Sequence, residues 1–290
     1  MILVTGATGQ YGRATLDFLL KKGMPAVNIR ALVRDKSKAE DIAAKGINIL
    51  LGDYDDYPSL VAAFKGVEKL LLISGSDIMK RSRQHENVIR AAREASVRHI
   101  LYTSFQRVND TETSPIAMIA KAHVETEKLI KSSGMAYTIL RNCLYLDAMA
   151  MFLGDKVLET GVFFPAGNGK AAFTLRKDMA EATAVILSGT GHENKEYLFS
   201  NIESVSFAEI ADTLSGIMGK TIVYTDPGTE DFRNTLKKAG VPDMFIGIQA
   251  GFGEAIRQGE FAATSNDLEK LLGRKPVSIK DFLTSVYAAH

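Results

Sequence analysis

Residues 2–5, ILVT, form a short apolar run that passes directly into GATGQYG, residues 6–12, and from there into the helical pattern RATLDFLLKK. A strand, a glycine-rich turn and a helix in immediate succession leave few folds open. Gly6 permits the tight turn, Gly9 lets a pyrophosphate approach the backbone N–H groups at the helix start, and Gly12 lets helix and strand pack closely. Thr8 and Gln10 fill the positions between the glycines. A glycine triplet alone is a weak signal; this one opens an alternating β/α series, and that context points to dinucleotide binding.

The alternation continues. Strands are expected at 29–33, 47–51, 69–74, 99–104 and 136–142, with helices at 38–44, 59–64, 81–95 and 117–133, the last closed by Gly134. Such alternation requires a parallel sheet with crossover helices. The fold class is therefore α/β: a Rossmann-type doubly wound parallel sheet over residues 1–150, the NAD(P)-binding part. The second half, 151–290, is less regular. Loop and strand are expected at 162–175, a helix at 176–187, strands at 196–200 and 221–226, and a helix at 230–240. Ser206 and Glu209 have the spacing of a capping box at the head of a further helix. These elements suggest a smaller α/β substrate lobe, partly interwoven with the first.

Thirty-five Lys+Arg against 34 Asp+Glu leave a net charge of +1. This is not the field of a dedicated binder of nucleic acid or anionic membrane, so a small-molecule partner is expected. The lone Cys143 can close no disulfide within the chain and suits a reducing compartment. No run of about 18 apolar residues is present, and MILVTGATGQYG lacks a basic n-region, so a cytoplasmic location is expected. His85, His99, His192 and His290 show no metal-site spacing, and no metal is expected.

The end of the second strand discriminates between cofactors. An NAD enzyme places an acidic side chain there for the ribose 2′-OH, whereas Arg34 stands here and Lys38 follows four residues on. Arg34 would pair a 2′-phosphate, which favours NADP(H). Asp35 keeps NAD(H) open, and a solvated basic edge is the plain alternative. Asp53, after the third strand, either meets the adenine ring or serves as a turn or cap residue. Ser74, Gly75 and Ser76 end the fourth strand at the carboxyl edge, where ligands of open sheets bind; flexibility of the loop explains the same residues. Tyr11 either covers the pyrophosphate or nicotinamide, or belongs to the core.

GATGQYG, ALVRDKSKA, GDYDD, VEKLLLISGS, YTS, HVETEK and YTILRN, in this order, resemble the NmrA-like branch of atypical short-chain dehydrogenases, and within it the NADPH-dependent quinone reductases. The likeness runs by motif to about residue 142 and more weakly beyond, through RKDMA and SFAEIADTLSGIMGK. It implies an NADP(H) domain, a small substrate lobe and a cleft between them. Where ordinary short-chain dehydrogenases carry the catalytic Tyr-x-x-x-Lys, this sequence has Ile119 and His123. Alcohol oxidation needs a tyrosine of lowered pKa to move a hydroxyl proton, so the loss argues against it. Hydride addition to a quinone gives a stable phenolate-type oxyanion that takes its proton from water or a weak donor.

The resemblance places His123 and Asn142 near the nicotinamide. His123 would hold the ribose or donate, with a near-neutral pKa, to the reduced quinone; a half-buried structural histidine is the alternative. The Asn142 amide can both donate and accept, though asparagine is also a turn former. Ser104 stands where the family's catalytic serine would be and would at most orient a ligand. Tyr145, Met149, Met151 and Phe152 either line a pocket for a flat aromatic acceptor or pack as core. An NADPH-dependent reductase of quinones, with a homodimer as an open option, is the leading expectation; a non-catalytic NADP(H)-binding redox sensor is the rival.

Overall fold

A computed structural model describes residues 1–288; His290 lies outside them. The apolar runs of the first half become strands that alternate with helices: β1 (Ile2–Val4), α1 (Gln10–Lys21), β2 (Ile29–Val33), α2 (Glu40–Ala43), β3 (Asn48–Leu51), α3 (Tyr57–Phe64), β4 (Lys69–Leu72), α4 (Arg81–Glu94), β5 (His99–Phe105), α5 (Ala117–Lys131) and β6 (Ala136–Asn142). The second half adds α6 (Ala150–Leu153), α7 (Val157–Thr160), β7 (Val162–Phe163), β8 (Lys170–Ala171), α8 (Arg176–Ser188), β9 (Lys195–Phe199), β10 (Val205–Ser206), α9 (Phe207–Met218), β11 (Tyr224–Thr225), α10 (Thr229–Lys238), α11 (Asp243–Arg257), α12 (Asp267–Leu272) and α13 (Ile279–Tyr287).

The main sheet runs β3-β2-β1-β4-β5-β6-β9, and every neighbouring pair is parallel. Strands buried on both faces read as continuous apolar runs, which is why β1 and β4 carry no alternation. Ile2 and Val4 pack with Leu16 and Leu19 of α1 and Met179 and Ile186 of α8. Leu3 and Leu70 face Phe64 of α3, Val88 of α4 and Ile130 of α5 on the other side. Beyond the strand ends, the second half builds its own aromatic core around Phe152, Phe164, Phe173 and Phe207. The Phe164 and Phe207 rings lie 4.7 Å apart.

The structure departs from the sequence pattern in particular places. The 38–44 helix divides into a 3-10 turn, Lys36–Ala39, and the short α2. The expected strand at 221–226 is only Tyr224–Thr225, paired with β7. Helix α11 was hidden by Gly247, Gly251 and Gly253, poor helix formers in water. Two of these glycines are required by packing: a Cβ on Gly251 would lie 2.8 Å from Pro115 O, and one on Gly253 2.7 Å from Pro165 Cγ. Strand β9 extends the first half's sheet rather than serving the second half alone. The Ser206/Glu209 capping box forms as expected.

Candidate active site

Strand order reverses between β1 and β4, so their connections diverge to opposite sides and leave a crevice at the carboxyl ends, the usual ligand seat of such sheets. The crevice, of about 320 Å³, is lined by Gly6, Thr8 and Gly9 on one wall and by Arg34, Asp53, Tyr54 and Ser74 to Asp77 on the others. Gly6 has φ +56° and sits against Ile73. A Cβ on Gly12 would fall 2.4 Å from Gly6 O, so the first turn of α1 can lie against the glycine turn only as glycine. Gly9 caps α1 without a side chain, and no acidic residue stands in the first turn. The N-terminal N–H groups of α1 are thus left for an anion.

Arg34 is exposed and lines the crevice. Asp35 is turned away, its Oδ1 accepting the backbone N–H of Ser37 at 2.9 Å and caping the following turn. Lys38 does not line the crevice; its carbonyl instead accepts from Arg13 Nη2 at 2.6 Å. Arg13 also donates to Thr8 O at 3.0 Å and pairs with Asp41, lacing the glycine turn to the segment after β2. Asp53 lines the crevice while its Oδ1 accepts the Asp55 N–H at 3.0 Å, so it is a turn residue facing the site.

Tyr54 escaped sequence reasoning. Its hydroxyl lies between Thr5 Oγ1 and Ile73 O, the latter 2.9 Å away, and Thr5 Oγ1 in turn donates to Leu71 O and accepts the Ile73 N–H. These contacts close the strand ends beneath the crevice. Ser74 N–H donates to Thr103 Oγ1 at 2.9 Å, and Gly75 N–H donates to His85 Nε2 at 3.0 Å. Burial, then the Arg81 charge, pulls the His85 pKa down to about 3. His85 is therefore neutral. Thr126 Oγ1 donates to Ala122 O, so the proton of His85 sits on Nδ1, 2.8 Å from Thr126 Oγ1.

His123 is 5 % exposed, 2.7 Å from Tyr102 Oη through Nδ1 and 3.3 Å from Arg81 Nη1 through Nε2. Burial and then Arg81 hold its pKa well below the ordinary histidine value. It is not the near-neutral proton donor that its sequence position suggested. Asn142 is buried at the end of β6; its Nδ2 points to Tyr145 Oη at 3.4 Å, and Oδ1 has no partner.

Three expected cofactor residues are otherwise engaged. Ser104 Oγ donates to Glu127 within a buried network that includes Arg107 and Arg141, so the hydroxyl is committed away from the crevice. Tyr11 is core: it is 5 % exposed, and its hydroxyl lies 2.7 Å from Thr183 Oγ1 of α8. Gln10 is bound by Arg176, which stacks 4.4 Å over Tyr145 and pairs with Asp147 at 3.2 Å. Met149 and Phe152 are core residues, whereas Met151 is 58 % exposed. No group of three potential metal ligands and no helix long and apolar enough to cross a membrane occur among the described residues.

A dinucleotide fits these residues. The uncapped start of α1 suits a pyrophosphate, the Arg34 guanidinium a further phosphate, and the Ser74 Oγ and Asn142 Oδ1 atoms are buried without hydrogen-bond partners at the ends of β4 and β6. The sheet, the crevice at its switch point and the missing Tyr/Lys pair define a Rossmann-type oxidoreductase of the atypical short-chain class. The chain belongs to the NmrA-like family, whose model matches residues 1–283.

It is 38 % identical over 288 residues to quinone oxidoreductase 2 of Escherichia coli (strain K12), covering 99 % of both chains. It is 26 % identical to an NAD(P)H azoreductase of Xenophilus azovorans, over 100 % of this chain and 99 % of that one. Among solved structures, the Escherichia coli NADPH-dependent quinone oxidoreductase complexed with NADPH matches with TM-score 0.93 and 36 % identity over 99 % and 100 % of the two chains. The Citrobacter sp. triphenylmethane reductase complexed with NADP(H) matches with TM-score 0.90 and 40 % identity over 98 % and 99 %.

Proposed function

We propose that this chain is an NADPH-dependent reductase that acts on quinones in the cytoplasm. The observation that carries the reading is a built dinucleotide crevice in a chain whose two positions for the family's Tyr/Lys pair, 119 and 123, carry no group that delivers a proton at neutral pH. Ile119 has nothing to ionise, and His123 is neutral and occupied by Arg81 and Tyr102. An acceptor that becomes a stable oxyanion tolerates that deficit, and an alcohol or ketone does not. The relatives that act on a quinone or an azo compound support the same class of electron-poor, conjugated acceptor.

When bound, the reduced nicotinamide supplies the hydride. The chain supplies the placement. The α1 N–H groups and Arg34 hold phosphates, Tyr54 and Thr5 fix the strand ends, and His85 holds the Gly75 loop that lines the crevice. Asn142 offers a free carbonyl oxygen at the nicotinamide end.

Steady-state oxidation of NADPH with a series of benzoquinones and naphthoquinones tests the reading. Turnover far above the uncatalysed rate is expected. Saturable NADPH binding with no turnover on any acceptor would mark a redox sensor instead.

A further inference from the structure

A guanidinium in a protein interior ordinarily has a carboxylate beside it, because an uncompensated buried charge is strongly unfavourable. Arg81, at the start of α4, is 8 % exposed and has no acidic partner among the described residues. Asp77, the acidic group that acts on it from a distance, pairs with Lys80 at 3.9 Å. Arg81 instead donates from Nε to Gly75 O at 2.7 Å and from Nη1 to His123 Nε2 at 3.3 Å. Arginine can only donate, so His123 Nε2 is the unprotonated nitrogen and Nδ1–H faces Tyr102 Oη.

The groups around His123 are Tyr102 and the stacked Phe105 ring, 5.6 Å away, from β5, Arg81 and His85 from α4, and Arg107 beyond β5. The nearby carboxylate of Glu127 is taken by Arg107 and Arg141, both at 3.0 Å. Position 123 is where the resemblance puts the lysine of the Tyr-x-x-x-Lys pair. The charge is absent from α5 and present one hydrogen bond away on α4.

We propose that Arg81 carries, from α4, the fixed positive charge that short-chain dehydrogenases carry on the lysine of α5, and that this charge stabilises the oxyanion left on the acceptor. The inference rests on the reductase reading above. A quinone that gains a hydride from the reduced nicotinamide becomes the hydroquinone monoanion, the cofactor is left oxidised, and a proton from solvent completes the hydroquinone. Arg81 favours the monoanion without giving up a proton, so the site needs no titrating acid.

The test uses 4-nitrophenol, whose ionisation is read from its visible absorbance, titrated across pH with the NADP⁺-loaded protein. The wild type is expected to lower the apparent pKa of the phenol by about one unit, a roughly tenfold preference for the phenolate. Arg81→Met removes the shift, and His123→Lys added to that variant restores it. In turnover with a benzoquinone, Arg81→Met loses about 100-fold in kcat while the NADPH Kd stays within about threefold, the pattern of an interaction made in the transition state. The His123→Lys addition recovers part of the loss.

In the cofactor-free protein, NMR titration of His123 shows its pKa raised by Arg81→Met. Where Met destabilises the fold, Arg81→Gln keeps a donor to Gly75 without the charge and gives the same losses. A phenol pKa that the wild type leaves unchanged, a shift that survives Arg81→Met, or a folded double variant without recovery overturns the proposal. If the phenolate shift follows Arg81 but no quinone is reduced, the charge assignment stands and the reductase reading fails.

Discussion

Asp35 Oδ1 accepts both the backbone N–H of Ser37, at 2.9 Å, and its hydroxyl, at 2.7 Å. The acidic group nearest the end of β2 is thereby turned into the next turn of chain, and the two hydrogen bonds hold its carboxyl below the usual carboxylate range. Of these two neighbours at the end of β2, it is Arg34 that lines the crevice. Arg34→Ala should weaken NADPH about 10- to 100-fold, the worth of one charge-assisted phosphate contact, and leave NADH within about twofold. Fluorescence titration of both cofactors decides it; equal loss for the two would refute a 2′-phosphate contact.

Two glycines separate close packing from chain flexibility. A Cβ on Gly12 would lie 2.4 Å from Gly6 O and 2.8 Å from Ala7 Cα, backbone atoms that cannot step aside cheaply. Gly12→Ala is expected to cost roughly 1–3 kcal/mol of stability and to weaken NADPH at least tenfold. Gly216, inside α9, has open space around it and a helical backbone. Gly216→Ala should stabilise by about 0.5–1 kcal/mol. Urea unfolding of both variants checks the contrast.

Asn142 is 1 % exposed and keeps an unpartnered Oδ1 at the end of β6. Replacing it by Ala should lower kcat/KM for a quinone at least tenfold while the NADPH Kd stays within about threefold. An unchanged kcat/KM would return Asn142 to a purely structural role. Asn142→Asp, which puts a negative charge at this buried position, should be worse than Asn142→Ala.

Burial lowers the pKa of His85 to about 3 and of His99 to about 4, the Arg81 charge adding to the first and that of Lys69 to the second. An unfolded histidine takes up its proton near pH 6.5, whereas these two do not while folded. The unfolded state therefore gains protons first as pH falls. Stability should be full above about pH 6.5 and decline below it, by roughly 1 kcal/mol per pH unit for each histidine, until about pH 4. Urea midpoints measured from pH 7.5 to 4.5 should trace this slope, and His99→Gln should flatten it.

The regular half was legible because its signals are local. Residues 29–33 and 136–142 are apolar, β-branched runs between turn residues, and the strands begin and end there. Gly6, Gly9 and Gly12 declare their role by spacing, and Ser206 with Glu209 by capping chemistry. What stayed hidden depends on neighbours distant in sequence. Tyr54 matters because Thr5 and Ile73 converge on it, and Arg81 because β5 and α5 bring Tyr102 and His123 to the same place. Ser104 and Tyr11 misled for the same reason: Glu127 claims the one hydroxyl and Thr183 the other. Helix α11 was masked by glycines whose small size serves Pro115 and Pro165.

Strand β9 pairs with β6 from Lys195 to Phe199, more than fifty residues after β6 ends. During synthesis, the emerging polypeptide therefore displays the unpaired rim of β6 until the aromatic region has been translated and β9 has come back to cover it. Exposed strand rims invite association with other chains. A ribosome stalled between these two segments should release a sticky, chaperone-dependent fragment, and the last step of sheet closure waits on the half of the gene that reads least like a nucleotide-binding protein.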